Sequence, residues 1–150
     1  MIVHGGCLAL RIGGDWLGAL ITGASGAGKS DLALRLLRDG WSIVSDDRTV
    51  LWTAGGALYA RAPETIAGLI EARGLGVVTV PRLRQARVAL VLEDGEDERI
   101  PPPTTTALLG VDTPRVRLPL RHASTPAALR LALFAAGRGR LLESAGTGRI

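Results

Sequence analysis

Apolar positions along this chain fall into short β-type runs, broken by glycine turns, with only two stretches of helical pattern. Ile2 to Leu10 reads as a strand, Arg11 to Asp15 as a turn and Trp16 to Thr22 as a second strand, which together predict a hairpin. Asp31 to Arg38 is rich in Leu and Ala and predicts a helix, closed by Asp39-Gly40 with Gly40 at C′. Strands follow at Trp41 to Ser45, Thr49 to Trp52 and, after the Gly55-Gly56 turn, Ala57 to Ala60. Pro63 to Glu71 reads as one helical turn leading into a strand. Val77 to Val80 and Val88 to Leu92 are β-branched and aliphatic, and predict core strands.

The pattern changes at Glu93 to Glu98, an acidic loop, and at Pro101 to Thr106, where the prolines argue against regular structure. Val116 to Leu120 reads as an edge strand. Thr125-Pro126 reads as an N-cap with proline at N1, opening a helix over Ala127 to Ala136 that Gly137 closes. The stretch from Arg138 to Ile150 is polar, Gly-rich and expected to fray. The alternation of strands and helices predicts an α/β fold, a mixed central sheet with flanking helices. At 150 residues, without repeat or linker, one domain over 1–150 is expected.

Composition narrows the setting. Apolar residues make up 47% of the chain and aromatics 3%, so the core is aliphatic. The net charge of +4 is modest and the arginines are scattered. No basic block interleaved with aromatics is present, so a nucleic-acid partner is not expected. A single cysteine, Cys7, rules out an internal disulfide and fits a reduced compartment. No run approaches the roughly 20 apolar residues that span a bilayer, and the N-terminus has no signal-peptide pattern. A soluble cytoplasmic protein without a membrane partner is expected.

The chemistry centres on one lysine. Lys29 is the only lysine beside seventeen arginines, and it stands in Gly23-Ala24-Ser25-Gly26-Ala27-Gly28-Lys29-Ser30. The pattern G-x-x-x-x-G-K-[ST] lets the backbone turn its N–H groups toward a phosphate chain. Lys29 would reach the β- and γ-phosphates, and Ser30 would serve magnesium. A compact ammonium suits that loop better than a planar guanidinium. The predicted strand before and helix after are the context the motif requires, and the helix N-terminus adds positive potential. ATP and Mg²⁺ are the implied cofactors.

Two further groups stand out. Asp46 and Asp47 end a predicted strand, seventeen and eighteen residues after Lys29. That edge of an α/β sheet is where ligands bind. One carboxylate could serve the metal and the other take a proton from an attacking hydroxyl. In Glu71-Ala72-Arg73-Gly74-Leu75-Gly76, Glu71 offers a hard oxygen for magnesium and Arg73 a cation for a transferring phosphoryl group. His4, His122 and Arg121 carry little signal by position alone.

Taken together, His4-Gly5, Gly23 to Ser30, Gly40 to Asp47 and Gly68-Leu69-Ile70-Glu71-Ala72-Arg73-Gly74-Leu75-Gly76 resemble, in that order, the catalytic domain of bacterial HPr kinase/phosphorylase. The resemblance runs from Val3 to Val80 and is thin beyond. It implies a P-loop kinase core and an ATP- and Mg²⁺-dependent serine kinase of the phosphocarrier HPr, within the sugar phosphotransferase system. It also implies phosphorolysis in many members, in which inorganic phosphate strips the seryl phosphate and releases pyrophosphate. His4, Lys29, Asp46 and Asp47 would belong to the catalytic centre, with Asp47 the better match to the acid/base. Ser30 and Glu71 match magnesium ligands, with Asp46 beside them, and Arg121 matches an arginine of a later loop. Full-length members carry an additional N-terminal domain, whereas this sequence starts close to His4 and resembles the short proteobacterial form. The later loops match poorly, so the resemblance alone does not carry over the phosphorylase activity or the homo-oligomer, a hexamer in the family. Two rivals remain: a P-loop kinase with another substrate, and a non-catalytic ATP-sensing module.

Overall fold

The computed structural model describes residues 1–139 of the chain. In order, the elements are β1 (Ile2–Ile12), β2 (Asp15–Thr22), α1 (Lys29–Arg38), β3 (Ser42–Ser45), β4 (Arg48–Ala54), β5 (Ala57–Arg61), a 3₁₀ turn (Glu64–Ile66), β6 (Leu69–Ala72), β7 (Gly76–Thr79), β8 (Ala86–Asp94), β9 (Thr104–Leu108), β10 (Val111–Leu118) and α2 (Thr125–Gly137). Eight of the described strands make one sheet in the order β2-β1-β4-β5-β8-β10-β9, with β3 against β1. β8 runs parallel to β2 and to β10, while the other ladders of this sheet are antiparallel. Because β2 pairs with both β1 and β8, the strands β2-β1-β4-β5-β8 close on themselves.

Strand alternation divides the core in two. Cys7 and Ala9 of β1, Leu20 of β2, Leu51 of β4, Leu58 of β5 and Val88 and Val91 of β8 form one cluster, fed by all five closed strands. Leu8, Leu10, Leu17, Ile21, Leu90 and Leu92 point the other way, against Leu32 and Leu36 of α1 and Leu129 and Leu133 of α2. Both helices therefore cover the same face of the sheet. The β2–β8 register slips between Gly18 and Ala19, which face Val88 and Leu90 and skip Ala89. This bulge lets neighbouring residues of β8 serve both cores. Each fully buried leucine contributes about 1.5–3 kcal/mol of apolar transfer.

The β1–β2 hairpin, the glycine loop and α1 stand as the pattern predicts. Gly40 has φ 91 and follows α1, while Trp41 N–H bonds Leu36 O at 3.1 Å, so Gly40 does close the helix. Elsewhere the structure departs from the pattern. Val77 to Val80 is not a central core strand: β6 and β7 form a separate two-stranded sheet, and Val77 is 67% exposed. Thr104 to Thr106 belongs to β9 despite the prolines before it, because Thr is β-branched and β10 offers a partner. β10 starts earlier than predicted, at Val111, and is interior, while β9 takes the edge. Pro114 precedes Arg115, where pairing with β8 begins, so the missing N–H costs that ladder nothing. α2 begins at Thr125 itself, whose hydroxyl donates to Pro119 O rather than capping the helix. Of the stretch expected to fray, Arg138 and Gly139 bond back to Ala135 O and Ala136 O, and residues 140–150 lie outside the described part.

Candidate active site

β2 delivers the chain to the P-loop at the ligand-binding edge of the parallel strands, and α1 carries it away. At Gly28, φ is 109, and a Cβ would lie 3.0 Å from Arg121 Cγ and 3.3 Å from its Nε. The left-handed turn favours glycine here, and the arginine lies close across it. Lys29 Nζ donates to Gly23 O at 2.6 Å and Ala24 O at 3.0 Å, which pins the ammonium inside the loop. Ala27 N–H bonds Ala24 O at 3.0 Å and its side chain joins the apolar core, so it anchors the loop rather than facing a ligand. Arg121 enters from the turn between β10 and α2, and its Nη2 donates to Gly26 O at 2.6 Å.

The two aspartates have different jobs. Asp46 is only 8% exposed. Its Oδ1 accepts from Ser30 Oγ at 3.1 Å and its Oδ2 from the Glu71 N–H at 3.3 Å. Burial pushes its carboxyl above the usual range, the two hydrogen bonds oppose that, and the Asp47 charge adds to it. Asp46 therefore ties the start of α1 to β6 from behind. Asp47 is exposed and stands at φ 68, a left-handed conformation unusual for a residue with a Cβ. Its carbonyl accepts from the Gly5 N–H at 2.8 Å, and the next amide, Arg48 N–H, returns to Asp46 O at 2.7 Å. These bonds hold the turn, and the turn aims the carboxylate outward. Its Oδ1 lies 3.1 Å from His4 Nε2, whose N–H a carboxylate would accept. Backbone strain of this kind is a mark of functional positions.

Gly5, beside His4, explains how β1 supplies the histidine. A Cβ at Gly5 would fall 2.6 Å from Ile21 O, so β1 passes β2 too closely there for any other residue. Thr49 Oγ1 donates to Gly5 O at 2.8 Å and completes the join.

These elements enclose a cavity of about 600 Å³. His4, Ser25, Gly26, Gly28, Lys29, Ser30, Asp47, Glu71, Arg73 and Arg121 all line it. All ten of these are site residues expected from the sequence, and they share one space. Asp46 stands behind the lining, and Gly23 and Ala24 contribute carbonyls to Lys29 instead. His122 contributes only backbone, its carbonyl accepting from Arg35.

Among the described residues no three His, Cys, Asp or Glu side chains converge on a point that could hold a metal. Magnesium takes one or two carboxylates together with substrate phosphates and water rather than a full protein cage. Ser30 and Glu71 on the cavity wall, with Asp46 beside Ser30, supply the hard oxygens such an ion prefers.

Residues 1–90 match the model of the HPr Serine kinase C-terminal domain. The chain belongs to that family. It is 38% identical over 146 residues to HPr kinase/phosphorylase of Azoarcus sp. strain BH72, covering 87% of this chain and 46% of that protein. With HPr kinase/phosphorylase of Clostridium perfringens strain SM101 it shares 34% identity over 119 residues, 70% of this chain and 39% of that protein. The chain thus spans less than half the length of these curated relatives. The structure of the Hpr(Ser) kinase/phosphatase from Coxiella burnetii superposes with a TM-score of 0.76 at 26% identity, over 95% of this chain and 99% of that one. The likeness therefore continues past Val80, where the motifs thin out. Among the described residues no helix is long and apolar enough to cross a membrane.

Sequence reasoning missed Asp31 and Leu34, which also line the cavity, and Arg35 behind them. The spacing of Asp31 and Arg35, four apart on the helix that leaves the P-loop, was the available signal.

Proposed function

We propose that this chain is an ATP- and Mg²⁺-dependent serine kinase of the phosphocarrier HPr, able also to run phosphorolysis of seryl-phosphorylated HPr. The observation that carries this reading is the cavity itself. It is lined by a phosphate-binding loop with Lys29 and by an exposed carboxylate, Asp47, hydrogen-bonded to His4. Family membership supports the choice of HPr among possible acceptors.

The chemistry follows from charge and proton position. The P-loop amides, the α1 N-terminus and Lys29 hold the triphosphate and neutralise its terminal oxygens. Ser30 and Glu71, with Asp46 behind, would hold magnesium, which when bound draws negative charge from the β- and γ-phosphates. Arg121 at Gly26 and Arg73 across the cavity supply two cations for charge on the transferring group. Asp47 accepts the serine proton as the hydroxyl attacks, and His4 fixes the carboxylate and shares its charge. In reverse, protonated Asp47 gives its proton to the departing serine oxygen while inorganic phosphate attacks the phosphoryl group, and pyrophosphate leaves. The cytoplasm, where HPr and ATP meet, is the setting this reading requires, and assembly into a homo-oligomer belongs to the same proposal.

Intact-mass spectrometry of the host's HPr after incubation with the chain, ATP and Mg²⁺ tests it. The expected result is a gain of one phosphoryl group on a serine, absent with Lys29→Ala. Bound ATP with no such gain would move the reading to another acceptor or to a nucleotide sensor.

A further inference from the structure

Arg121 reaches the P-loop from a turn that is far away in sequence and has no regular structure of its own. Something must hold that turn, because a guanidinium on a loose loop gives little fixed potential. Asp94 Oδ1 accepts from the Leu120 N–H at 3.1 Å, and Thr125 Oγ1 donates to Pro119 O. The turn's own backbone bonds, His122 N–H to Pro119 O and Thr125 N–H to His122 O, both at 3.2 Å, add to these. The residues on either side of Arg121 are gripped by one side chain, Arg35 of α1. Its Nη2 donates to Leu120 O at 2.5 Å and its Nη1 to His122 O at 3.1 Å. Its Nε donates to Asp31 Oδ2 at 3.1 Å, one helical turn back, which aims the fork. The side chain is 20% exposed, so these charged bonds are partly shielded from water.

We propose that Arg35 is a positioning residue that sets Arg121 over the P-loop. The proposal rests on the kinase reading for its consequence, though not for its geometry. Arg35 does not line the cavity and acts through its neighbour. The contacts form a circuit: the P-loop leads into α1, Arg35 of α1 holds Leu120 and His122, and Arg121 between them returns to Gly26 O. A displacement of α1 relative to the turn moves the guanidinium off the loop. A planar fork with donors on three nitrogens meets three acceptors at once. A lysine ammonium, a single point charge, cannot span both carbonyls and the carboxylate.

The test is a double-mutant cycle of Arg35→Met, Arg121→Ala and the pair, read in the ATP dissociation constant, with hydrogen exchange measured in parallel. Arg35→Met keeps the apolar stem and removes the fork. Each single change is expected to weaken ATP binding about tenfold, as loss of charged hydrogen bonds does. The pair is expected to bind no worse than Arg121→Ala alone, and Arg35→Lys to recover only part of the loss. Exchange at the Leu120 and His122 amides should quicken in Arg35→Met while α1 keeps its protection. If Arg35→Met also loosens α1, the Arg35→Lys cycle decides in its place. Losses that add in the pair, or unchanged exchange at Leu120 and His122, would overturn the proposal. A wild-type chain that binds no ATP would instead sink the kinase reading, and the exchange result would then settle Arg35 by itself.

Discussion

The two walls of the cavity are built on opposite principles. The phosphate wall is made of β2, the P-loop and α1. β2 lies inside the sheet, and α1 buries Leu32, Ala33 and Leu36. The facing wall is the β6–β7 hairpin, a sheet of two strands outside the main one. Ile70 is buried there, but Leu75 and Val77 at the tip are 79% and 67% exposed. Ile70 packs in the same core as Leu32 and Leu36, and a polar link joins the walls from behind: Asp46, which accepts from Ser30 on one side and Glu71 N–H on the other. Under the proposed kinase reading a nucleotide is the same in every turnover, so its wall can be rigid. A protein acceptor would have to enter and leave, and the wall with the exposed tip is the one able to yield.

That contrast can be broken by substitution. The largest expected effect is at Lys29→Ala, which should reduce ATP-dependent transfer by at least about a thousandfold in a steady-state assay, since the loop then lacks its one charge on the phosphates. Next is Leu36→Ala in the rigid wall, expected to cost about 2–5 kcal/mol in urea unfolding. A loss below about 1 kcal/mol would show that α1 is not the anchor described here. Smaller is the effect of the link. An unfolded Asp titrates near about 3.9, and burial raises Asp46 above that value in the folded chain. Between the two values the folded chain holds more protons than the unfolded one. Stability therefore falls as pH rises through that window. Unfolding of Asp46→Asn, followed from about pH 4 to about pH 7, should lack this decline, and an identical slope would contradict the assignment. The smallest effect belongs to the hairpin tip. Leu75→Ser should leave stability unchanged within about 0.5 kcal/mol, because an exposed side chain has little to lose.

Local pattern made the phosphate wall legible in the sequence. A strand, a glycine loop, the single lysine and an amphipathic helix are contiguous, and each supports the next. Asp46 and Asp47 were legible as a pair, with Asp47 favoured as acid/base by the family resemblance, but not the geometry that separates them. That depends on a left-handed turn at Asp47 and on contacts to Gly5 and Glu71, distant in the chain. The hairpin was misread as core because Val77 to Val80 has strand composition, and composition does not say which sheet a strand joins. β9 was hidden by the prolines before it, and the interior place of β10 follows from its parallel pairing with β8. Arg121 and Arg35 act across 95 and 87 residues, a separation over which a single sequence carries no pairing signal. Arg121 was marked only by the family resemblance, while Arg35 was not marked at all.

In the proposed mechanism the Asp47 carboxylate, which shares the cavity with the P-loop, moves the serine proton. The direct measurement is single-turnover phosphoryl transfer to HPr by the wild-type chain and by Asp47→Asn, with ATP affinity determined for both. Asp47 is on the cavity wall with its carboxylate paired to His4 and Arg48, so ATP affinity is expected to stay within about twofold, while transfer falls by about a hundredfold or more. Transfer at the wild-type rate by Asp47→Asn would contradict the account.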